Sequence, residues 1–135
     1  MDTTCAACST RLADVMSFVI RVHREDGVLI AEASGSASLA DLCGMASMVG
    51  VTTSRSNERR AVLDLLAVDV ELAFTDHLQL GSFVAGRLQH MERVASVVPQ
   101  RFRTGTSEKA AQKGGLLLHT FTDRDAAMAW VKSAD

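Results

Sequence analysis

Apolar and polar residues alternate over positions 17–24, with Phe18, Ile20 and Val22 on one side and Arg21 and His23 on the other. A period of two is the pattern of a strand with one buried face. Glu25-Asp26-Gly27 follows. An Asp-Gly pair tolerates the backbone of a tight hairpin turn, so 28–33 is expected as a second, antiparallel strand, ended by Ser34-Gly35-Ser36. The period then changes. Leu39, Leu42, Cys43, Ala46 and Val49 fall at helical spacing behind Ser38, a favourable N-cap, with Gly50 as the stop. Residues 52–57 read as a polar connector. The run Ala61-Val62-Leu63-Asp64-Leu65-Leu66 comes next, behind Glu58-Arg59-Arg60. A short apolar run bounded by polar signals marks a strand covered on both faces. The rest of the chain is expected to pack around this strand, 60–66.

Residues 68–74 stay apolar where a connection is usually polar, and are expected as a loop that folds over the core or borders a pocket. Thr75 or Asp76 starts the next helix, whose stripe is Leu80, Val84, Leu88 and Met91. Gly81 and Ala85 allow close approach there, and Arg87, His90 and Arg93 gather where the helix dipole favours positive charge. A buried strand over 94–98 is stopped by Pro99. A helix over 107–113 ends at Gly114-Gly115. Residues 116–121 form the last strand. Thr122-Asp123-Arg124-Asp125 resembles a capping box ahead of a final helix with Ala127, Trp130, Val131 and Ala134 on one face. The order is β-β-α-β-α-β-α-β-α. An opening hairpin followed by alternation predicts the α/β class, an α+β mixed sheet of about five strands with helices packed against it. Leu12, Val15 and Met16 sit at helical spacing, so 1–16 reads as an N-terminal arm or short helix and 17–135 as a single domain.

Composition narrows the function classes. The 135 residues are 47% apolar and 22% charged, with one proline and nine glycines, which fits an ordered globular chain. A net charge of −2 offers no basic excess for nucleic acid. No apolar run approaches the roughly 20 residues of a membrane span. Met1-Asp2-Thr3-Thr4-Cys5 carries an acid where a secretory signal carries base. Three cysteines fit a reducing compartment better than a disulfide framework. A cytoplasmic protein is expected.

Few positions carry chemistry. Cys5 and Cys8 have redox or metal spacing, but a thioredoxin-like site sits between strand and helix, and zinc needs two further ligands. They read as incidental thiols, and no metal site or cofactor is expected. His23, His77, His90 and His119 are scattered, without metal spacing; His119, inside an apolar strand, either packs in the core or faces a cavity. Asp64 is the one acid in the central strand, where an unpaired charge is costly. It is expected to reach a polar end or to be hydrogen-bonded by the segment that follows. Arg101, Arg103, Thr104, Gly105 and Thr106 lead into a helix N-terminus, with Phe102, Ser107, Lys109 and Lys113 nearby. That composition favours an anion, although the glycine-lysine pattern of a phosphate loop is absent; the other reading is a solvated loop before a capped helix. Val68, Leu72, Phe74, Thr75 and Leu78, with Met45, Met48 and Met91, are candidates to line an apolar ligand pocket. The carboxyl edge of such a sheet is where ligands usually sit; ordinary core or a dimer contact is the alternative.

Three passages carry a family resemblance. They are Gly27-Val28-Leu29-Ile30-Ala31-Glu32-Ala33-Ser34-Gly35 with Ser38-Leu39-Ala40-Asp41; Val62-Leu63-Asp64-Leu65 and the loop beyond; and Arg93-Val94-Ala95-Ser96-Val97-Val98 with Phe121-Thr122-Asp123 and Ala126-Ala127-Met128-Ala129-Trp130-Val131. Together they resemble the STAS-like group, the SpoIIAA-like proteins related to anti-sigma-factor antagonists, over about 17–133. The resemblance implies a small non-enzymatic domain that binds a protein partner, or a second copy of itself as a homodimer, or a small ligand. Anti-sigma antagonists use a phosphorylatable serine in Asp-Ser-Ser-Gly after the central strand. Here that region reads Val70-Glu71-Leu72-Ala73-Phe74-Thr75-Asp76-His77, without the serine or the glycine; Thr75 is the nearest hydroxyl. A binding or regulatory module is therefore expected. The alternative is a carrier or sensor of a small apolar or anionic ligand held near the loop after the central strand.

Overall fold

Strands β1 (Phe18–Glu25) and β2 (Val28–Ala37) form the opening hairpin, turning through Asp26 and Gly27 at φ of 54° and 79°. Both central residues at positive φ is what a two-residue hairpin matched to the strand twist requires. In this computed structural model the described residues are 18–102 and 105–133. The arm or helix expected over 1–16, with Cys5 and Cys8, lies outside them, as do Arg103, Thr104 and Ala134.

The chain continues through α1 (Leu39–Ser56), β3 (Arg60–Val70), α2 (Phe74–Arg87), β4 (Arg93–Val97), a short 3-10 turn (Gln100–Phe102), α3 (Thr106–Lys113), β5 (Leu118–Phe121) and α4 (Arg124–Lys132). The five strands form one mixed sheet in the order β1-β2-β3-β4-β5. Strand β1 is antiparallel to β2, and every later pair is parallel. Each parallel strand lies beside its predecessor, and right-handed crossovers then put all three connecting helices on one face. Leu29, Leu63 and Val94 pack there against Met45, Val49, Val84 and Leu88. The alternate residues Val28, Ile30, Val62, Ala95 and Val97 turn to the other face, against Ala127, Met128 and Val131 of α4. The central stretch is thus covered on both sides over 61–64, while Leu65 is half-buried and Leu66, expected inside, is exposed beside the β3 irregularity.

Several boundaries differ from expectation, each for a local reason. The register between β2 and β3 slips after Glu32↔Asp64 and resumes at Ser34↔Ala67, which leaves one extra residue on β3. This bulge resets the period of two. It hides from the sequence that Val68 and Val70 face the helices while Ala67 and Asp69 face away. Strand β3 therefore runs to Val70, and β2 continues past Ser34-Gly35-Ser36 to Ala37 as its partner. The apolar loop expected over 68–74 shrinks to residues 71–73. Helix α2 starts at Phe74, ahead of Thr75 or Asp76, and the Asp76 carboxylate accepts the Ala73 N–H at 3.0 Å.

Gly50 is no helix stop. Helix α1 runs on to Ser56 and ends at Asn57, whose φ of 60° is a left-handed cap. At Gly50 the helix crosses α2 so closely that a Cβ would lie 2.6 Å from the Arg87 carbonyl oxygen. The stretch expected as a connector is its last turns, with Thr53 fully buried. The last strand starts at Leu118, and the cap of α4 is Asp123, whose carboxylate accepts the Ala126 N–H at 3.0 Å.

Candidate functional site

At the carboxyl ends of β3, β4 and β5 the sheet and helices α2 and α3 part to leave a cavity of about 130 Å³. Its walls are Leu63, Leu65, Val68, Val84, Ala111 and Leu118, and it extends to Leu72 and Phe102. Gly81 lets α3 approach α2: a Cβ there would sit 2.4 Å from the Ser107 carbonyl oxygen. Val70, Leu72, His77 and Phe102 also border a shallower depression with Glu71, Ala73 and Arg101, which makes that depression the outer part of the same opening.

Two pairs of polar groups interrupt the apolar lining. Ser96 and Thr120 are register partners on β4 and β5, and their hydroxyls meet at 3.1 Å on the floor. The Thr120 N–H donates to Glu108 Oε2 at 2.9 Å. At the rim, His77 Nδ1 and Ser107 Oγ are 3.0 Å apart, joining the first turns of α2 and α3. A serine beside a histidine is the start of a nucleophilic dyad, but the base then needs an orienting third group. Among the described residues no acid is hydrogen-bonded to His77. The pair therefore acts as a polar clasp at the entrance.

The residues singled out in the sequence divide here. Val68 and Leu72 line the cavity. Phe74, Thr75 and Leu78 point to solvent instead; Phe74 is 67% exposed and Leu78 40%. Met45 and Met91 are buried core and Met48 packs against them; none of the three reaches the cavity. Of the anion candidates, Gly105 lines the cavity as the residue preceding α3, and Thr106 is the first residue of that helix. Arg101 is exposed, with its guanidinium 4.5 Å above the Phe102 ring. His119 faces away from the cavity and stacks on Trp130 at 4.6 Å. His90 Nε2 meets Thr53 Oγ1 at 2.7 Å, between α1 and the end of α2.

Asp64 lies on the α4 face, 8% exposed. Its Oδ1 accepts the Leu66 N–H at 3.1 Å, holding the bulge, and its Oδ2 is 3.3 Å from the Arg124 guanidinium, which also pairs with Glu32. A shared arginine is how a buried carboxylate avoids an uncompensated charge. Burial pushes the Cys43 thiol up from its ordinary pKa, away from the thiolate a nucleophile needs. Among the described residues no group of three His, Cys, Asp or Glu is placed to hold a metal, and no helix is long and apolar enough to cross a membrane.

Neither polar pair is legible in the sequence, because the members are 24 residues apart in one and 30 in the other. The one available signal is Ser96 itself, a polar residue between Ala95 and Val97 in the buried part of β4.

This arrangement of strands and helices matches solved structures. An anti-sigma factor antagonist from Mycobacterium paratuberculosis superposes with a TM-score of 0.61 at 16% identity, over 87% of this chain and 96% of that one. The fold is SpoIIAA-like. A DUF3478-family protein of that same fold from Shewanella loihica PV-4 gives a TM-score of 0.54 at 20% identity, over 85% of this chain and 93% of that one. The STAS-like resemblance drawn from the sequence thus holds for the architecture. No protein-family model and no curated protein matches the chain in sequence.

Proposed function

We propose that this SpoIIAA-like domain is a non-enzymatic regulatory module that works by contacting a protein partner through the start of α2. The observation that carries the reading is Phe74. Among the described residues it is the largest apolar side chain left mainly in water, and Leu78 follows one helical turn later on the same side. Aromatic side chains supply much of the energy at protein interfaces, and this one has no packing role that accounts for its position. The fold likeness to an anti-sigma factor antagonist agrees with the reading. The phosphoserine switch of such antagonists is not part of it, because the segment before α2 lacks that sequence.

A photo-crosslinking residue at position 74 tests this in extract of the source organism, with position 129 on α4 as the control. The captured protein, purified, should bind the wild-type domain and bind Phe74→Ser at least tenfold more weakly, with an unchanged melting temperature. Equal binding by the variant, or equal crosslinking from position 129, overturns the assignment. The same titration with the domain alone, followed by light scattering, decides whether the partner is a second copy.

The cavity favours a second reading, in which the domain carries or senses a small ligand behind the same segment. Val68 and Leu72, on the strand and connection that lead to Phe74, line it. Native mass spectrometry of freshly purified protein checks this: a co-purified mass supports it, and a clean mass that no added small molecule shifts counts against it.

A further inference from the structure

We infer that the cavity selects a small neutral molecule with an apolar body and a single hydroxyl, of about the size of phenol, and that Ser96 receives the hydroxyl. The inference rests on the ligand reading above and adds the chemical class. Size comes first. An apolar cavity of about 150 Å³ takes a benzene ring, and this one is about 130 Å³. A single ring or a short chain fills this inner part.

Polarity comes second. Ser96 occupies a position on β4 whose register neighbours on the same face of the sheet, Leu63 and Thr120, also line the cavity. A valine or alanine there would complete an apolar floor. A hydroxyl offers one donor and two acceptor positions, and the Ser96 bond to Thr120 uses one of them. A second hydroxyl brought into the cavity extends that bond into a short chain. A lone hydroxyl in a dry, purely apolar cavity would instead lose its water without replacement, which is costly.

Charge comes third. Among the described residues, the ionisable groups lining the inner cavity are His77 and Glu108, and Arg101 borders the outer depression. Glu108 holds the Thr120 N–H. A carboxylate ligand in the inner cavity would meet the Glu108 carboxylate, so the neutral class is preferred.

The experiment is titration of the full-length chain with phenol, toluene and benzoate, followed by calorimetry and by amide chemical shifts. Phenol should bind about tenfold more tightly than toluene, the worth of one good hydrogen bond in a dry site, and benzoate more weakly than either. Phenol should shift the amides of Ser96 and Thr120. Ser96→Ala should bring phenol and toluene to equal affinity; if that variant does not fold, the wild-type shifts decide alone. Toluene binding as tightly as phenol, or benzoate binding best, overturns the class while leaving a ligand pocket. Absence of binding by all three at millimolar concentration overturns the class and the pocket together.

Discussion

The two ends of the parallel strands are finished in opposite ways. At the amino ends, arginines tie the sheet to helix termini. At the end of α4, Arg60 Nη1 donates to the carbonyls of Val131 and Ser133 at 2.7 and 2.6 Å and Arg93 Nη1 to that of Trp130 at 2.7 Å, while Arg59 Nη1 donates to that of His90, in the turn after α2, at 2.8 Å. The last carbonyls of a helix have no partner within it and carry partial negative charge, so a guanidinium satisfies them on both counts. Arg24 and Glu58 close the same end at 2.7 Å. At the carboxyl ends the side chains shorten to Ser96, Gly105, Ser107 and Thr120, and the cavity opens. The ties gather at one end, and the space used by the proposed function lies at the other. A domain arranged this way can keep open space at one end because its other end is tied down.

Core truncation breaks that comparison most strongly. Leu88 is fully buried where α2 returns to the closed end. Leu88→Ala should cost about 3 kcal/mol, the usual loss for a buried leucine that leaves a void. Leu72→Ala, half-buried beside an existing cavity, should cost less than about 1 kcal/mol. Urea denaturation of both variants measures the difference, and equal losses would remove the division between the ends.

Next in size is Arg93→Met. It keeps the stem that packs but loses the bond to Trp130 and the guanidinium placed 5.0 Å from the Trp130 ring centre. About 2 kcal/mol should go, in the range of hydrogen bonds to charged groups, and a midpoint within error of wild type would show that the arginine ties are ornamental.

Two glycines of α1 sharpen the contrast with opposite signs. Gly50 touches the Arg87 backbone, which cannot step aside, so Gly50→Ala should destabilise by about 1–2 kcal/mol. Gly44 faces open space, so Gly44→Ala should stabilise the helix by up to about 1 kcal/mol. Thermal melts of the pair read both signs at once.

These residues also show how far the sequence reaches. Periodicity found every strand and helix in order, because one-sided burial writes itself as alternation or as helical spacing. It failed wherever a tertiary neighbour decides. Gly50 looks like a stop in sequence and is a crossing point in space. The bulge beside Asp64 shifted the alternation by one residue, so the end of β3 passed for a loop. Of the candidate site, Val68 and Leu72 were legible because a connection rarely stays apolar. Phe74 and Leu78 continue the same apolar run although α2 turns them outward, and the His77–Ser107 contact depends on α2 and α3 meeting at Gly81, which no local pattern announces.

The smallest expected effect concerns Cys43, in the second turn of α1 beside Leu42 at the open end. Burial raises its pKa above the ordinary thiol value. The folded state thus holds the thiol proton more tightly than the unfolded chain. That contribution to stability is fully present below the unfolded thiol's pKa and is lost as pH rises through the folded one. Its chemical signature is easier to read than its energy. At pH 8 iodoacetamide should modify Cys43 more slowly in the native protein than in urea, since only the thiolate reacts, with peptide mapping separating it from Cys5 and Cys8. Equal rates would mean that the open end admits water as far as Cys43, and the contrast between a sealed end and a merely narrow one would have to be redrawn.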